Sequence, residues 1–301
     1  MSQAVTILDG GMGKELLRIG APFQQPEWSA LALMEDPAAV RQAHQNFVDA
    51  GADVITTNTY AVVPFHLGDE RFAERGLELA SLAAGIAREV ADAADRPIRV
   101  AGSLPPLFGS YEPEKFEPDR APEIYDVLVK AQVDKVDFWV GETISSLAEF
   151  DAVANAIAGR GEELWASFTV EDDPPHDRAR LRSGESIEAA VAHVAGKVSA
   201  MLFNCSQPER MAAALADAAA AVGAAGSVGS MQLGVYANAF VDKEEGYAAN
   251  DVVLEHRADL TPTAYAEMVA GWIDLGASIV GGCCGIRPDH IEALGQLRAA
   301  V

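Results

Sequence analysis

Short apolar runs rich in Val and Ile alternate with longer stretches of helical periodicity along the whole chain. That alternation is the pattern of repeated strand–helix units around a parallel sheet. Eight strands are expected: Val5–Asp9, Asp53–Thr59, Ile98–Ser103, Asp137–Glu142, Leu164–Val170, Ala200–Cys205, Leu233–Ala239 and Ser278–Cys283. Two helix-to-strand joints show the unit. Asp36-Pro37 is an N-cap with proline at the first helical position, and the helix it opens runs to Ala50 and is stopped by Gly51 before Ala52-Asp53-Val54-Ile55. Thr261-Pro262 opens a second helix in the same way, Gly276 closes it, and Ala277-Ser278-Ile279-Val280 follows.

No composition shift, Pro/Ser linker or low-complexity tract divides the chain; the alanine-dense 216–225 reads as a helix and its exit. The expected architecture is α/β, a single-domain (β/α)8 TIM barrel over residues 1–301. A doubly wound open sheet is disfavoured because no G-x-G-x-x-G follows the first strand, and Asp9-Gly10-Gly11-Met12-Gly13 has the wrong spacing. Three long connections, at 104–122, 171–184 and 240–260, leave the C-terminal ends of strands. They should cluster on the face where barrels carry their chemistry.

Charge narrows the partners. With 22 Lys+Arg against 45 Asp+Glu, a net charge of -23, the chain lacks the basic face that nucleic acid requires. The acidity suits a soluble protein, mildly favours cationic small ligands, and reads most simply as adaptation to a salty interior. The start, Met1 to Leu8, has no basic n-region, and no apolar run reaches the ~18 residues of a membrane span, so a cytoplasmic protein without membrane contact is expected. Three cysteines, an odd number outside any secreted-style framework, fit a reducing compartment.

Every thiol lies at the end of an expected strand: Cys205 after Ala200-Met201-Leu202-Phe203-Asn204, and Cys283-Cys284 after Ala277-Ser278-Ile279-Val280 within Gly281-Gly282-Cys283-Cys284-Gly285. Strands six and eight are separated by one strand, roughly two spacings of ~4.8 Å, so their ends can converge. Three thiolates would fill three positions of a tetrahedral zinc and leave the fourth open for catalysis. Adjacent strand residues face opposite ways, so Cys283 and Cys284 share an ion only if the backbone leaves strand geometry, a freedom offered by Gly281, Gly282 and Gly285. The alternative is a buried, apolar Cys205 beside a vicinal pair that is free or a strained disulfide. The six histidines, His44, His66, His176, His193, His256 and His290, form no close pair and read as surface or helix residues.

Taken in order, Asp9-Gly10-Gly11-Met12-Gly13-Lys14-Glu15-Leu16, Thr56-Thr57-Asn58-Thr59-Tyr60, Ala101-Gly102-Ser103-Leu104, Glu142-Thr143, Asn204-Cys205 and Gly281-Gly282-Cys283-Cys284-Gly285 resemble the homocysteine S-methyltransferases. That family includes betaine- and S-methylmethionine-dependent enzymes and the homocysteine module of methionine synthase. The resemblance runs from about Ile7 to the final helix. It implies a zinc ion on Cys205, Cys283 and Cys284 as catalytic centre, with homocysteine entering through sulfur as the fourth ligand. It also implies that Glu142 holds the substrate ammonium and that Asp9 and the backbone of Gly10 and Gly11 receive its amino-acid end. Asn58 and Asn204, at strand ends, bond substrate or local backbone. Asn238, in Tyr236-Ala237-Asn238, is a further contact, standing where the family usually has proline one residue earlier.

The resemblance departs after the third strand: where family members often read Gly-Ser-Leu-Gly-Pro, this chain reads Gly102-Ser103-Leu104-Pro105-Pro106-Leu107-Phe108-Gly109-Ser110-Tyr111. That loop lies where a methyl donor would approach. A cationic donor could rest on aromatic faces, and Trp28, Phe65, Phe108, Tyr111, Trp139 and Tyr236 are placed for it. The length leaves no room for separate cobalamin and folate modules, so a freely diffusing donor is expected: S-methylmethionine first, then S-adenosylmethionine and betaine. The competing readings are the same zinc chemistry on another thiol acceptor or donor, and a non-catalytic zinc-thiolate barrel that binds metal or senses oxidation.

Overall fold

The structure, a computed structural model, describes residues 5–159, 163–172, 178–224, 231–240 and 257–297. Its eight strands are β1 (Thr6–Ile7), β2 (Val54–Thr56), β3 (Arg99–Leu104), β4 (Phe138–Ile144), β5 (Leu164–Phe168), β6 (Ala200–Asn204), β7 (Gln232–Tyr236) and β8 (Ile279–Val280). Every expected strand is present, though β1, β2 and β8 are shorter than the apolar runs that announce them.

All the pairings are parallel, in the order β1-β8-β7-β6-β5-β4-β3-β2. The remaining seam is closed by the parallel bridge Leu8↔Val54, with Asp53 N donating to Ile7 O at 2.7 Å and Asp9 N to Val54 O at 3.0 Å. The sheet is therefore a (β/α)8 barrel. Helices follow each strand, among them Pro37–Asp49, Asp69–Ala93, Ala121–Gln132, Pro208–Ala224 and Pro262–Asp274.

The two joints read from sequence are built as expected. Asp36 accepts from Ala39 N at 3.2 Å, Thr261 accepts from Ala264 N at 3.2 Å, and Gly51 and Gly276 take φ of 104° and 106°. Alternation along the strands then sorts side chains into two layers. Leu8, Val54, Ala101, Phe138, Val140, Trp165, Ala200, Leu202, Tyr236 and Ile279 fill the barrel. The intervening residues, such as Trp139, Ala166 and Phe203, pack outward against the helices. Phe138 and Val140 point inward, so the same period points Glu142 into the barrel mouth.

Of the long connections, residues 173–177 and 241–256 lie outside the described residues, as do Pro174, Pro175, His176 and His256. No described helix is long and apolar enough to cross a membrane.

Candidate metal and substrate site

Above the C-terminal ends of the strands lies a cavity of about 170 Å³ lined by Asp9, Asn58, Glu142 and all three cysteines, together with Tyr60, Tyr111 and Tyr236. The sulfurs of Cys205, Cys283 and Cys284 lie within 4.8 Å of one another, 2.6 Å for Cys205–Cys283 and 3.7 Å for Cys205–Cys284, and none is in a disulfide.

Two backbone departures bring them together. Strand alternation would turn Cys205 outward after the inward Asn204, but φ of 51° at Cys205 swings its side chain back over the mouth. Gly285 takes φ of 84°, whereas Gly281 and Gly282 stay in the ordinary region. The freedom expected of those two is a close approach instead: a Cβ on Gly281 would meet Leu8 Cβ at 2.5 Å, and one on Gly282 would meet Ile286 Cγ2 at 2.1 Å.

A triad this close cannot carry three negative charges unaided. Its neighbours in the triad, with Tyr111, hold the Cys205 thiol well below its ordinary range, and Cys283 and Cys284 are pushed well above it by sharing protons with Cys205. A thiophilic cation would relieve that conflict, so the donor set fits a metal ion.

Two carboxylates face the triad. Asp9 accepts from Thr56 N at 2.8 Å and Thr56 Oγ1 at 3.2 Å, and burial pushes its pKa up to about 8 against those bonds, with a smaller push from Glu142. Burial likewise raises Glu142 to about 7, opposed by the Ser103 hydroxyl at 2.8 Å and by Tyr236. Two acids held this high, Asp9 buried and Glu142 half-buried, are a site in want of a cation.

The other expected residues divide. Gly11 N donates to Ile286 O at 2.9 Å, so that amide packs the first turn against the cysteine loop; a Cβ on Gly11 would lie 2.7 Å from Cys283 O, and one on Gly10 2.4 Å from Ile286 O. The glycines after Asp9 thus serve close approach, a packing reason beyond the substrate contact expected of them. Asn58 lines the cavity and donates to Ser29 O at 3.2 Å, tying β2 to the helix Ser29–Glu35 behind Trp28. Asn204 is saturated by protein: Oδ1 accepts from Thr143 N and Ser167 Oγ, and Nδ2 donates to Thr143 Oγ1. Asn238 is not among the lining residues; its Oδ1 takes the N–H of Phe240 at 3.3 Å.

Of the aromatic candidates, Trp28, Tyr111 and Tyr236 line the cavity, and Phe65, Phe108 and Trp139 do not. Trp139 points outward from β4 and is fully buried there. Sequence reasoning missed Lys14, Phe23, Tyr60, His66 and Phe240 as lining groups. Lys14 stands two positions into the helix Met12–Arg18, directly after the glycine turn, and that spacing was the available signal. His44, His66 and His290 lie in helices, as expected, and are buried there.

The comparisons fall in line with this geometry. The family model described as homocysteine S-methyltransferase matches residues 6–297, and the chain belongs to that family of methyltransferases. Homocysteine S-methyltransferase of Escherichia coli is 28% identical, over 97% of this chain and 94% of its own. Selenocysteine methyltransferase of Astragalus bisulcatus is 27% identical, over 96% and 90%. The metallated crystal form of the homocysteine methyltransferase MmuM from Escherichia coli superposes with a TM-score of 0.76 at 25% identity, covering 99% of this chain and 97% of that one.

Proposed function

We propose that this protein is a zinc-dependent S-methyltransferase, in one domain spanning the chain, that moves a methyl group from a small cationic donor to the thiol of homocysteine and yields methionine. The observation that carries the reading is three free thiols converging in a cavity that also holds two carboxylates, Asp9 buried and Glu142 half-buried.

Zinc–sulfur bonds of ~2.3 Å in a tetrahedron would set sulfurs about 3.8 Å apart; the 3.7 Å between Cys205 and Cys284 suits this, and the 2.6 Å between Cys205 and Cys283 would have to open by about 1 Å. When bound, zinc supplies an acceptor sulfur in its thiolate form at neutral pH. The chain's own residues do the rest. Glu142 and Asp9 take the acceptor's ammonium, which replaces the proton that burial otherwise leaves on them. Lys14, the lone lysine or arginine among the described lining residues, offers a partner for a carboxylate. Trp28, Tyr60 and Tyr111 present aromatic faces to a sulfonium or quaternary ammonium donor. The lining is largely apolar, which favours attack of a thiolate on a cation because charge is neutralised in the transition state. The leaving group is a neutral thioether or amine, so no general acid is required.

S-methylmethionine is the first-choice donor, ahead of S-adenosylmethionine and betaine. A selenol acceptor is the second reading, favoured by the relative named for selenocysteine methylation. The test is methionine formation by purified, zinc-replete protein given homocysteine and one donor at a time, with selenocysteine as alternative acceptor. One strongly preferred donor is expected. Silence with every pair, from protein that still holds one zinc, would sink the assignment of acceptor and donor.

A further inference from the structure

The proposed chemistry leaves a problem unsolved: a methyl donor bound in this cavity faces the protein's own thiolates as well as the acceptor's sulfur. A metal-bound thiolate keeps lone pairs and remains a nucleophile. Were Cys205 to attack, its lone pair would form an S–CH3 bond, the donor's C–S or C–N bond would break with its electron pair leaving on the thioether or amine, and Cys205 would become a neutral thioether. Neutral thioethers are poor zinc ligands, so one such event would empty the site.

Tyr111 is placed against that outcome. Its hydroxyl donates to Cys205 Sγ at 3.0 Å, whereas the Asn204 amide comes no closer to Cys283 Sγ than 3.9 Å. Both ends of the contact are held in backbone conformations that side-chain-bearing residues avoid, φ of 69° at Tyr111 and 51° at Cys205. The Arg182 guanidinium lies over the ring, 4.8 Å from its centroid. Arg182 in turn bonds Thr169 Oγ1 at 2.9 Å and the Asp172 carboxylate. Asp172 Oδ1 accepts from the N–H of Gln207, two residues beyond Cys205, at 2.8 Å. Among the described residues, the connections after β3, β5 and β6 thus form a closed circuit that reaches the thiol triad through the Tyr111 hydroxyl.

We infer that Tyr111 is a positioning residue that keeps Cys205 a ligand and not a nucleophile, so that the methyl group is delivered to the substrate and not to the protein. The inference rests on the proposed methyl transfer. Its physical basis is that methylation removes the charge from sulfur, so the hydrogen bond must be given up on the way to the transition state and raises the barrier to self-attack.

The test compares zinc-loaded wild type with Tyr111→Phe, which keeps the ring and removes the hydroxyl. Each is incubated without acceptor, once with methyl iodide and once with the preferred donor, and peptide mass spectrometry follows methylation at each cysteine while a chelating dye follows zinc release. Cys205 should gain its methyl group roughly tenfold faster in the variant, with zinc release in step, and Cys283 and Cys284 should react equally in both proteins. Equal rates at Cys205, or a uniform rise at all three cysteines, would overturn the inference. The methyl iodide arm needs no enzymatic donor: a faster Cys205 there, with no natural donor active, would count against the donor reading alone. Should Tyr111→Phe fail to load zinc, Arg182→Gln, which frees the ring while keeping the hydroxyl, is expected to raise the Cys205 rate by a smaller factor, and no rise at all would be equally fatal.

Discussion

His44 is fully buried in the helix Pro37–Asp49, and neither ring nitrogen has a hydrogen-bond partner. Burial, with a smaller push from Arg41, lowers its pKa from 6.5 to about 4. A group whose folded-state pKa is depressed leaves the unfolded state binding more protons at mildly acid pH, so stability is fully present above 6.5 and is lost as pH falls toward 4. The whole loss is about 3 kcal/mol. His44→Leu should therefore flatten the acid side of the profile: between pH 7 and pH 5, urea midpoints should fall less for the variant than for wild type, and parallel profiles would refute the account. Glu142 offers a contrasting residue, half-buried and placed for binding and not for packing. Glu142→Gln keeps the shape and the Ser103 bond but removes the charge that would meet an ammonium, a charge-assisted bond worth roughly 1.5–3 kcal/mol. The acceptor KM should rise about 10- to 100-fold with zinc content unchanged, as read by steady-state kinetics beside metal analysis.

Gly282 shows how the elements constrain one another. A methyl group there would stand 2.1 Å from Ile286 Cγ2 and 2.2 Å from Ile286 Cβ, and Ile286 is fully buried and carries the carbonyl that receives Gly11 N. Gly282→Ala must push Ile286 and the first turn apart, an overpacking cost of roughly 1–3 kcal/mol. Thermal melts should drop and zinc should bind more weakly; an unchanged melt with normal zinc affinity would show that the loop gives way freely. The same pair explains what was legible beforehand. All eight strands, both capped helix joints and the convergence of Cys205 with Cys283-Cys284 follow from apolar periodicity and punctuation, which are local. That Gly281 is a space for Leu8, and not a hinge, depends on two turns about 270 residues apart, and that Gly282 is a space for Ile286 depends on the loop folding back on itself; neither leaves a periodic mark. Asn238 does not line the cavity: its side chain closes its own turn on Phe240, a local choice that apolar periodicity does not mark either. Tyr111 escaped notice as a partner of Cys205 because its aim depends on a positive φ that no residue type at that position announces.

At the scale of the whole molecule the net charge of -23 sets two salt effects in opposition. Like charges spread over one surface repel, and that repulsion acts against the compact state. Surface ion pairs such as Arg88–Asp137 and Arg257–Glu209 pull the other way, but exposed pairs are worth only ~0–1 kcal/mol each. With 45 acidic groups against 22 basic ones, most carboxylates have no basic partner to claim, so repulsion should dominate. Raising NaCl from about 0.1 to 1 M shortens the screening length from ~10 to ~3 Å. The melting temperature should then rise by several degrees, and a fall would mean that the ion pairs outweigh the net charge. The same screening removes the long-range attraction of a cationic methyl donor to an acidic protein, so kcat/KM for that donor should decline over the interval in which stability grows. A zwitterionic acceptor carries no net charge and should be nearly indifferent. The donor and acceptor dependences measured across one salt series would therefore separate steering by the whole surface from binding by Glu142 and Asp9 in the cavity.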